Sequence, residues 1–85
     1  MFDGLGQLEY LYLDDNQFAS LPSEIFNPLS DLLFLELENN HLTTLPEGIF
    51  DTLSRLQELD LNNNPLTVIN PDDFGKFTTL KNLNL

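Results

Sequence analysis

Hydrophobic residues recur along this chain at a spacing of 24 residues. One such column consists of Leu8, Leu32, Leu56 and Leu80, and another of Phe2, Phe26, Phe50 and Phe74. The unit reads LxxLxLxxNxLxxLPxxxFxxLxx, and no insertion or deletion separates one copy from the next. Self-similarity at a fixed period in this range is typical of proteins in which one structural unit is stacked repeatedly.

Each unit contains a short segment in which leucines alternate with other residues. In the first copy, Leu11 and Leu13 are flanked by Tyr10, Tyr12 and Asp14, and the alternation recurs in every later copy. Successive side chains of a strand point to opposite faces, so this pattern predicts a strand with one buried face. A strand this short cannot bury its apolar face alone. We therefore expect the units to stack and their strands to form one parallel sheet.

Two further columns are interpreted as structural: the phenylalanines Phe26, Phe50 and Phe74, and the asparagines Asn16, Asn40 and Asn64. The phenylalanines are expected to form a spine that fills the outer half of the core. Each asparagine follows a strand at an interior position, where a polar group is costly unless it is hydrogen-bonded. An amide both donates and accepts hydrogen bonds. We therefore expect the asparagines to bridge the turn backbones of successive units.

The pattern resembles the leucine-rich repeat family, in the 24-residue form typical of extracellular proteins such as Toll-like receptors, small leucine-rich proteoglycans and variable lymphocyte receptors. The resemblance covers essentially the whole chain. It implies an α/β solenoid, a right-handed superhelix of about 3.5 repeats, with a short parallel sheet on the concave face and irregular or short helical segments on the convex side. The third repeat departs from the pattern at Ile69, Asn70 and Phe77, which are changes of shape-conserving or surface type.

The repeat register predicts one leucine-rich segment over residues 1–85, divided into a partial repeat at 1–7, repeats at 8–31, 32–55 and 56–79, and the start of a fourth at 80–85. Solenoids of this family carry polar or cysteine-rich capping units, and neither end of the sequence matches one. We therefore interpret the chain as an uncapped fragment. Uncapped sheet edges are expected to allow end-to-end self-association.

Charge narrows the range of partners. The chain has 14 acidic residues against three basic ones, for a net charge of −11. Such a surface repels phosphate, so we predict no binding to nucleic acid and no direct contact with anionic membranes. No signal peptide, membrane-spanning run, cysteine or glycosylation sequon is present in the sequence. Localisation therefore rests on the resemblance, which implies an extracellular or cell-surface ectodomain, with a cytoplasmic protein as the alternative.

Catalytic motifs are missing. The single histidine, His41, has no cysteine to pair with and no G-x-S-x-G motif frames a serine. We predict that the protein is not an enzyme and has no cofactor. The segments Asp14–Asn16 and Pro71–Asp73 supply oxygen ligands that suit Ca²⁺, but the EF-hand spacing is missing, and no metal site is predicted.

The residues that point out of the strands are free to contact a partner. They form rows across the predicted concave face, from which we select as candidate partner-binding residues Tyr10, Tyr12, Asp14, Phe34, Glu36, Glu38, Glu58 and Asp60. The aromatic members resemble interface anchors. The acidic members place like charges on adjacent strands, which a basic partner would relieve. The hypothesis is a protein or peptide partner that carries Lys or Arg beside an apolar anchor.

Three alternatives stay open at the level of sequence. Aromatic residues favour strands in general, so the aromatic group can be a matter of propensity alone. The chain can also be a structural spacer whose acidity keeps a longer solenoid soluble. A third alternative is a regulatory repeat domain of an intracellular signalling protein, which the lack of cysteine and sequons also fits.

Overall fold

The computed structural model describes Phe2, residues 4–67 and residues 80–84. Four strands of three residues each lie in these ranges: β1, Tyr10–Tyr12; β2, Phe34–Glu36; β3, Glu58–Asp60; and β4, Asn82–Asn84. They form one parallel sheet in the order β1-β2-β3-β4. The predicted parallel sheet, with one strand from each repeat, is confirmed.

The register of the sheet follows the repeat without an offset. Leu11 pairs with Leu35 and Leu35 pairs with Leu59, so residues 24 apart in sequence are neighbours in space. The outward-facing residues consequently form the lateral rows that the sequence predicts. One row contains Tyr10, Phe34, Glu58 and Asn82, and the next contains Tyr12, Glu36 and Asp60, with Asn84 as the register partner of Asp60.

The segments that return the chain along the convex side are turns. Leu29 donates its backbone N–H to the carbonyl of Phe26 at 3.0 Å, and Leu53 donates likewise to the carbonyl of Phe50 at 3.1 Å. The part of the chain that the structure describes contains no helix, so the convex side there is irregular. It follows that no helix in this part is long and apolar enough to cross a membrane.

The core lies between the sheet and the convex turns. The inner strands and their flanks contribute Leu35, Leu37, Leu59 and Leu61, each at most 1% exposed. Full burial of such a side chain contributes about 1.5–3 kcal/mol. Leu83 in β4 is 38% exposed, because β4 has a neighbouring strand on one side only among the described residues. Burial is therefore deepest in the middle of the stack.

Two phenylalanines fill the convex half of this core. Phe26 is fully buried and Phe50 is 3% exposed. Their rings stack with centroids 6.2 Å apart and an interplanar angle of 12°. The third phenylalanine of the predicted spine, Phe74, lies outside the described residues. Stacking at this distance adds to the free energy of area burial, so each ring stabilises the packing of the next repeat.

Candidate binding face on the parallel sheet

Aromatic side chains cover the β1 side of the concave face. The rings of Tyr10 and Phe34 are stacked with centroids 4.7 Å apart and an interplanar angle of 4°. Tyr10 is 51% exposed and Tyr12 is 55% exposed, whereas Phe34 is half-buried. The register explains the contact, because Tyr10 and Phe34 are paired residues of β1 and β2. We refer to Tyr10, Tyr12 and Phe34 as the aromatic patch.

Acidic side chains adjoin the aromatic patch. Asp14, Glu36 and Glu38 each place a carboxylate oxygen within 4.8 Å of the others. We refer to these three residues as the carboxyl cluster. Glu36 is the register partner of Tyr12 on one side and of Asp60 on the other, so the carboxyl cluster lies next to the aromatic patch and continues onto β3.

Burial and like charges change the protonation of the cluster. Desolvation, followed by a hydrogen bond with Asp60 and by the charges of Asp60, Glu36 and Asp14, raises the pKa of Glu38 to about 8. The Oε2 atom of Glu38 is buried and has no hydrogen-bond partner among the described residues. Desolvation also raises the pKa of Glu36, and a hydrogen bond with Glu38 partly opposes that shift. Burial and the neighbouring negative charges therefore favour the protonated form of Glu38.

The remaining acidic candidates are tied to neighbours on their own side of the face. Asn82 donates from Nδ2 to Oε1 of Glu58 at 3.2 Å. The Oδ1 atom of Asp60 accepts the backbone N–H of Asn62 at 3.2 Å. These contacts fix the β3 edge of the acidic surface. The candidate residues of the sequence therefore lie on one continuous face, on which Tyr10 stacks on Phe34 and the carboxyl oxygens of Asp14, Glu36 and Glu38 lie within 4.8 Å of one another.

The asparagines that follow the strands bond to the backbone. Asn40 is 4% exposed and donates from Nδ2 to the carbonyls of Leu13 at 3.0 Å and Leu37 at 2.9 Å. Its Oδ1 accepts the N–H of Phe18 at 3.3 Å. Asn64 makes the equivalent bonds one repeat further on, to Leu37 and Leu61 as donor and from Leu42 as acceptor. Asn16 is exposed and donates within its own turn, to Leu13 at 2.9 Å.

A second polar ladder lies beside these asparagines, and sequence reasoning did not predict it. Asn63 donates from Nδ2 to Oδ1 of Asn39 at 2.8 Å, and Asn39 donates likewise to Oδ1 of Asp15 at 2.8 Å. All three residues have positive φ, between 58° and 59°, a region that Asn and Asp tolerate better than most residues. The sequence feature that could have predicted this ladder is the 24-residue spacing of amide and carboxylate side chains at the edge of the predicted face.

Two features of the described residues bear on catalysis and metal binding. The side chain of His41 is exposed, and its backbone N–H is bonded to the carbonyl of Phe18. The oxygens of the carboxyl cluster are of the kind that Ca²⁺ prefers. Acidic groups on an exposed surface commonly gather without an ion, however, and the spacing alone does not identify a ligand set.

Comparisons with known proteins agree with this architecture. A family model described as leucine rich repeat matches residues 6–65 and 32–85. The solved LRIM1/APL1C complex contains a chain that is 37% identical, with a TM-score of 0.95, over 99% of this chain and 16% of that one. The leucine-rich repeat domain of APL1B is 35% identical, with a TM-score of 0.81, over 93% of this chain and 23% of that one. A search of curated protein sequences gave no match.

A third solved structure is a complex of TLR13 with ssRNA13. Its chain is 35% identical, with a TM-score of 0.84, over 91% of this chain and 11% of that one. The fold, the family match and these identities together show that the protein belongs to the leucine-rich repeat family. It spans less than a quarter of the length of each of the three solved chains.

Proposed function

We propose that this protein is a non-catalytic protein-binding module whose concave face contacts its partner. The observation that carries the proposal is the stacked pair of Tyr10 and Phe34 beside an exposed Tyr12. Exposed aromatic side chains with a polar handle are enriched at the energetic centres of protein interfaces. A rigid ring pair loses little conformational entropy on binding, so it suits a partner's apolar anchor.

The chemistry of the neighbouring residues indicates a basic partner. The outward rows of the four strands contain no Lys or Arg, and the carboxyl cluster lies beside Tyr12. A Lys or Arg side chain placed over that ring would gain a cation–π contact and an ion pair together. The partner is therefore a protein or peptide with a basic residue next to an apolar anchor.

Protein is favoured over nucleic acid as the partner. The match to a structure of TLR13 with ssRNA13 shows that a related chain occurs in an RNA complex. In this chain, however, the net charge of −11 and the acidic concave rows repel phosphate. The LRIM1/APL1C structure is a protein complex, which supports the proposed class of partner. The same relatives, which include a chain from the TLR13 complex, support a receptor or secreted protein with an extracellular or cell-surface location.

The experiment is an NMR titration with a blocked peptide, N-acetyl-Leu-Arg-Leu amide. We expect chemical-shift changes at Tyr10, Tyr12, Phe34 and Glu36, weaker binding as NaCl rises, and loss of binding in Glu36→Lys. The matched control is Glu24→Lys, which makes the same charge change at an exposed residue of a convex turn. Equal losses in both variants, or shift changes confined to the convex side, would contradict the proposal.

A structural spacer is the second candidate. The fully buried leucines of the middle repeats and the polar ladders between repeats would serve a spacer equally well. In that case, replacement of Tyr10, Tyr12 and Phe34 by alanine would leave the binding of every partner unchanged. The same peptide titration therefore separates the two functions.

A further inference from the structure

Phe34 differs from the two tyrosines of the aromatic patch in its exposure. Tyr10 is 51% exposed and Tyr12 is 55% exposed, whereas Phe34 is half-buried although it belongs to the same outward-facing rows. The leucine core does not account for this burial. Among the described residues, the partly buried hydrophobic side chains that pack against the core include Leu11 and Phe18 but not Phe34. The burial of Phe34 therefore arises on the concave face itself.

Two register partners flank Phe34 on that face. On the β1 side, its ring stacks on the ring of Tyr10 with centroids 4.7 Å apart and an interplanar angle of 4°. On the β3 side, its partner is Glu58, whose Oε1 accepts a hydrogen bond from Nδ2 of Asn82 at 3.2 Å. Phe34 thus has a neighbour on each side, and the neighbour on β3 is itself held in place. Phe34 is the more firmly fixed member of the stacked pair.

Tyr10 is the more exposed member and depends on Phe34 for its support. In the described sheet, β1 is paired with β2 alone, so Phe34 is the one register partner of Tyr10. An exposed side chain that becomes fixed when a partner binds loses rotamer freedom, and this loss weakens binding. The parallel stack restricts the ring of Tyr10 before the partner arrives. Tyr12 lacks such a stack, because its register partner is Glu36.

We propose that Phe34 is a positioning residue of the binding face, whose ring fixes the orientation of the Tyr10 ring, while Tyr10 and Tyr12 make the contact with the partner. This inference rests on the proposed function. It divides the aromatic patch into two residues that touch the partner and one that acts through Tyr10. Tight binding then requires an aromatic residue at position 34, because an aliphatic side chain cannot form the stack.

The stack is tested first without any partner, by proton NMR of the tyrosine rings in the full chain. A ring that faces another at 4.7 Å lies in its shielding region, so the signals of Tyr10 are expected upfield of those of Tyr12. Phe34→Leu removes the ring and should move the Tyr10 signals toward the positions of Tyr12, whereas Phe34→Tyr should keep them upfield. Identical Tyr10 signals in the wild type and Phe34→Leu would overturn the inference and leave the proposed function standing.

Binding of N-acetyl-Leu-Arg-Leu amide is then measured by NMR titration, with circular dichroism as the check that each variant is folded. We expect Phe34→Leu to weaken the association constant about two- to tenfold, the factor that stacking in an aromatic pair contributes. Phe34→Tyr should restore the wild-type value. The matched control is Phe18→Leu, the same substitution at a half-buried phenylalanine outside the concave rows, and it is expected to bind as the wild type does.

A double-mutant cycle separates positioning from direct contact. Tyr10→Leu removes the ring through which Phe34 acts and keeps an apolar side chain at that place. If Phe34 acts through Tyr10, Phe34→Leu causes no further loss of peptide binding in the Tyr10→Leu background. A loss that persists at its full size in that background would show that Phe34 contacts the peptide itself, and it would overturn the inference.

The outcomes also separate this inference from the proposed function. Equal association constants for the wild type and Phe34→Leu, with shift changes still on the concave face, overturn the positioning role and retain the proposed function. An equal loss in Phe34→Leu and Phe18→Leu also overturns the positioning role, because the loss would then not depend on the stack. No binding by the wild type overturns the proposed function and this inference with it.

Discussion

At the scale of single residues, the interior asparagines show how a polar side chain is accommodated in a leucine core. Asn40 is buried, yet its amide bonds to carbonyls of two successive repeats and accepts a backbone N–H from a third segment of the chain. An unpaired polar group in that place would lose its hydration without compensation. The 24-residue recurrence of asparagine is therefore a requirement of the turn that ends each strand.

Asn40→Ala is predicted to be strongly destabilising for this reason. The substitution leaves the N–H of Phe18 without its side-chain partner and removes one of the two asparagine donors from the carbonyls of Leu13 and Leu37, which keep Asn16 and Asn64. An unsatisfied buried group costs about 1–3 kcal/mol. We expect a loss of about 2–4 kcal/mol in the free energy of unfolding, measured by urea denaturation. Asn16→Ala is the matched control, because Asn16 is exposed and water can replace its amide. An equal loss in both variants would contradict the argument.

At the scale of elements, the short strands are stabilised by their neighbours. Each strand has three residues, and the central leucine is fully buried in β2 and β3 but 38% exposed in β4. A three-residue strand has no independent stability. The parallel pairing in register places leucine upon leucine, and this contact between repeats supplies the missing stability.

Leu59→Ala and Leu83→Ala are predicted to differ for this reason. Both remove the same atoms from the centre of a strand, but Leu59 is 0% exposed and Leu83 is 38% exposed. Truncation of a fully buried leucine costs about 2–5 kcal/mol. We expect less than half that loss for Leu83→Ala, as measured by the midpoint of thermal unfolding followed by circular dichroism. Similar midpoints for the two variants would show that burial in the stack does not set the contribution of the strand.

At the scale of the whole molecule, charge opposes compactness. The chain folds with 14 acidic and three basic residues, and Arg55 forms an ion pair with Asp31 at 3.5 Å. A large net charge destabilises the compact state through self-repulsion, although it favours solubility. The leucine core and the hydrogen-bonded turns must offset this repulsion.

Salt is therefore predicted to stabilise the protein. Raising NaCl from about 0.01 M to about 0.15 M shortens the screening length from about 30 Å to about 8 Å, which is below the 30 Å longest extent of the molecule. We expect the midpoint of thermal unfolding to rise by several degrees. Tetramethylammonium chloride should have the same effect, because screening depends on ionic strength and not on the cation. A gain seen only with CaCl₂ would instead indicate a specific ion site.

The sequence by itself determined the repeat, the strand positions and the lateral rows. An uninterrupted 24-residue period leaves only one register in which every leucine faces inward, so pairs such as Leu35 and Leu59 follow from the spacing. The sequence did not decide between turns and short helices on the convex side. An apolar spacing of three residues, as between Phe26 and Leu29, suits either.

Only the tertiary structure decided the properties that depend on side chains from different repeats. The stacking of Tyr10 on Phe34, the ladder from Asp15 through Asn39 to Asn63, and the raised pKa of Glu38 all require conformations and burial set by the neighbouring strands. The spacing of residues in the sequence identifies which residues are neighbours. It does not give the rotamers, the distances between carboxyl oxygens or the loss of water around them, and these quantities decide the chemistry of the face.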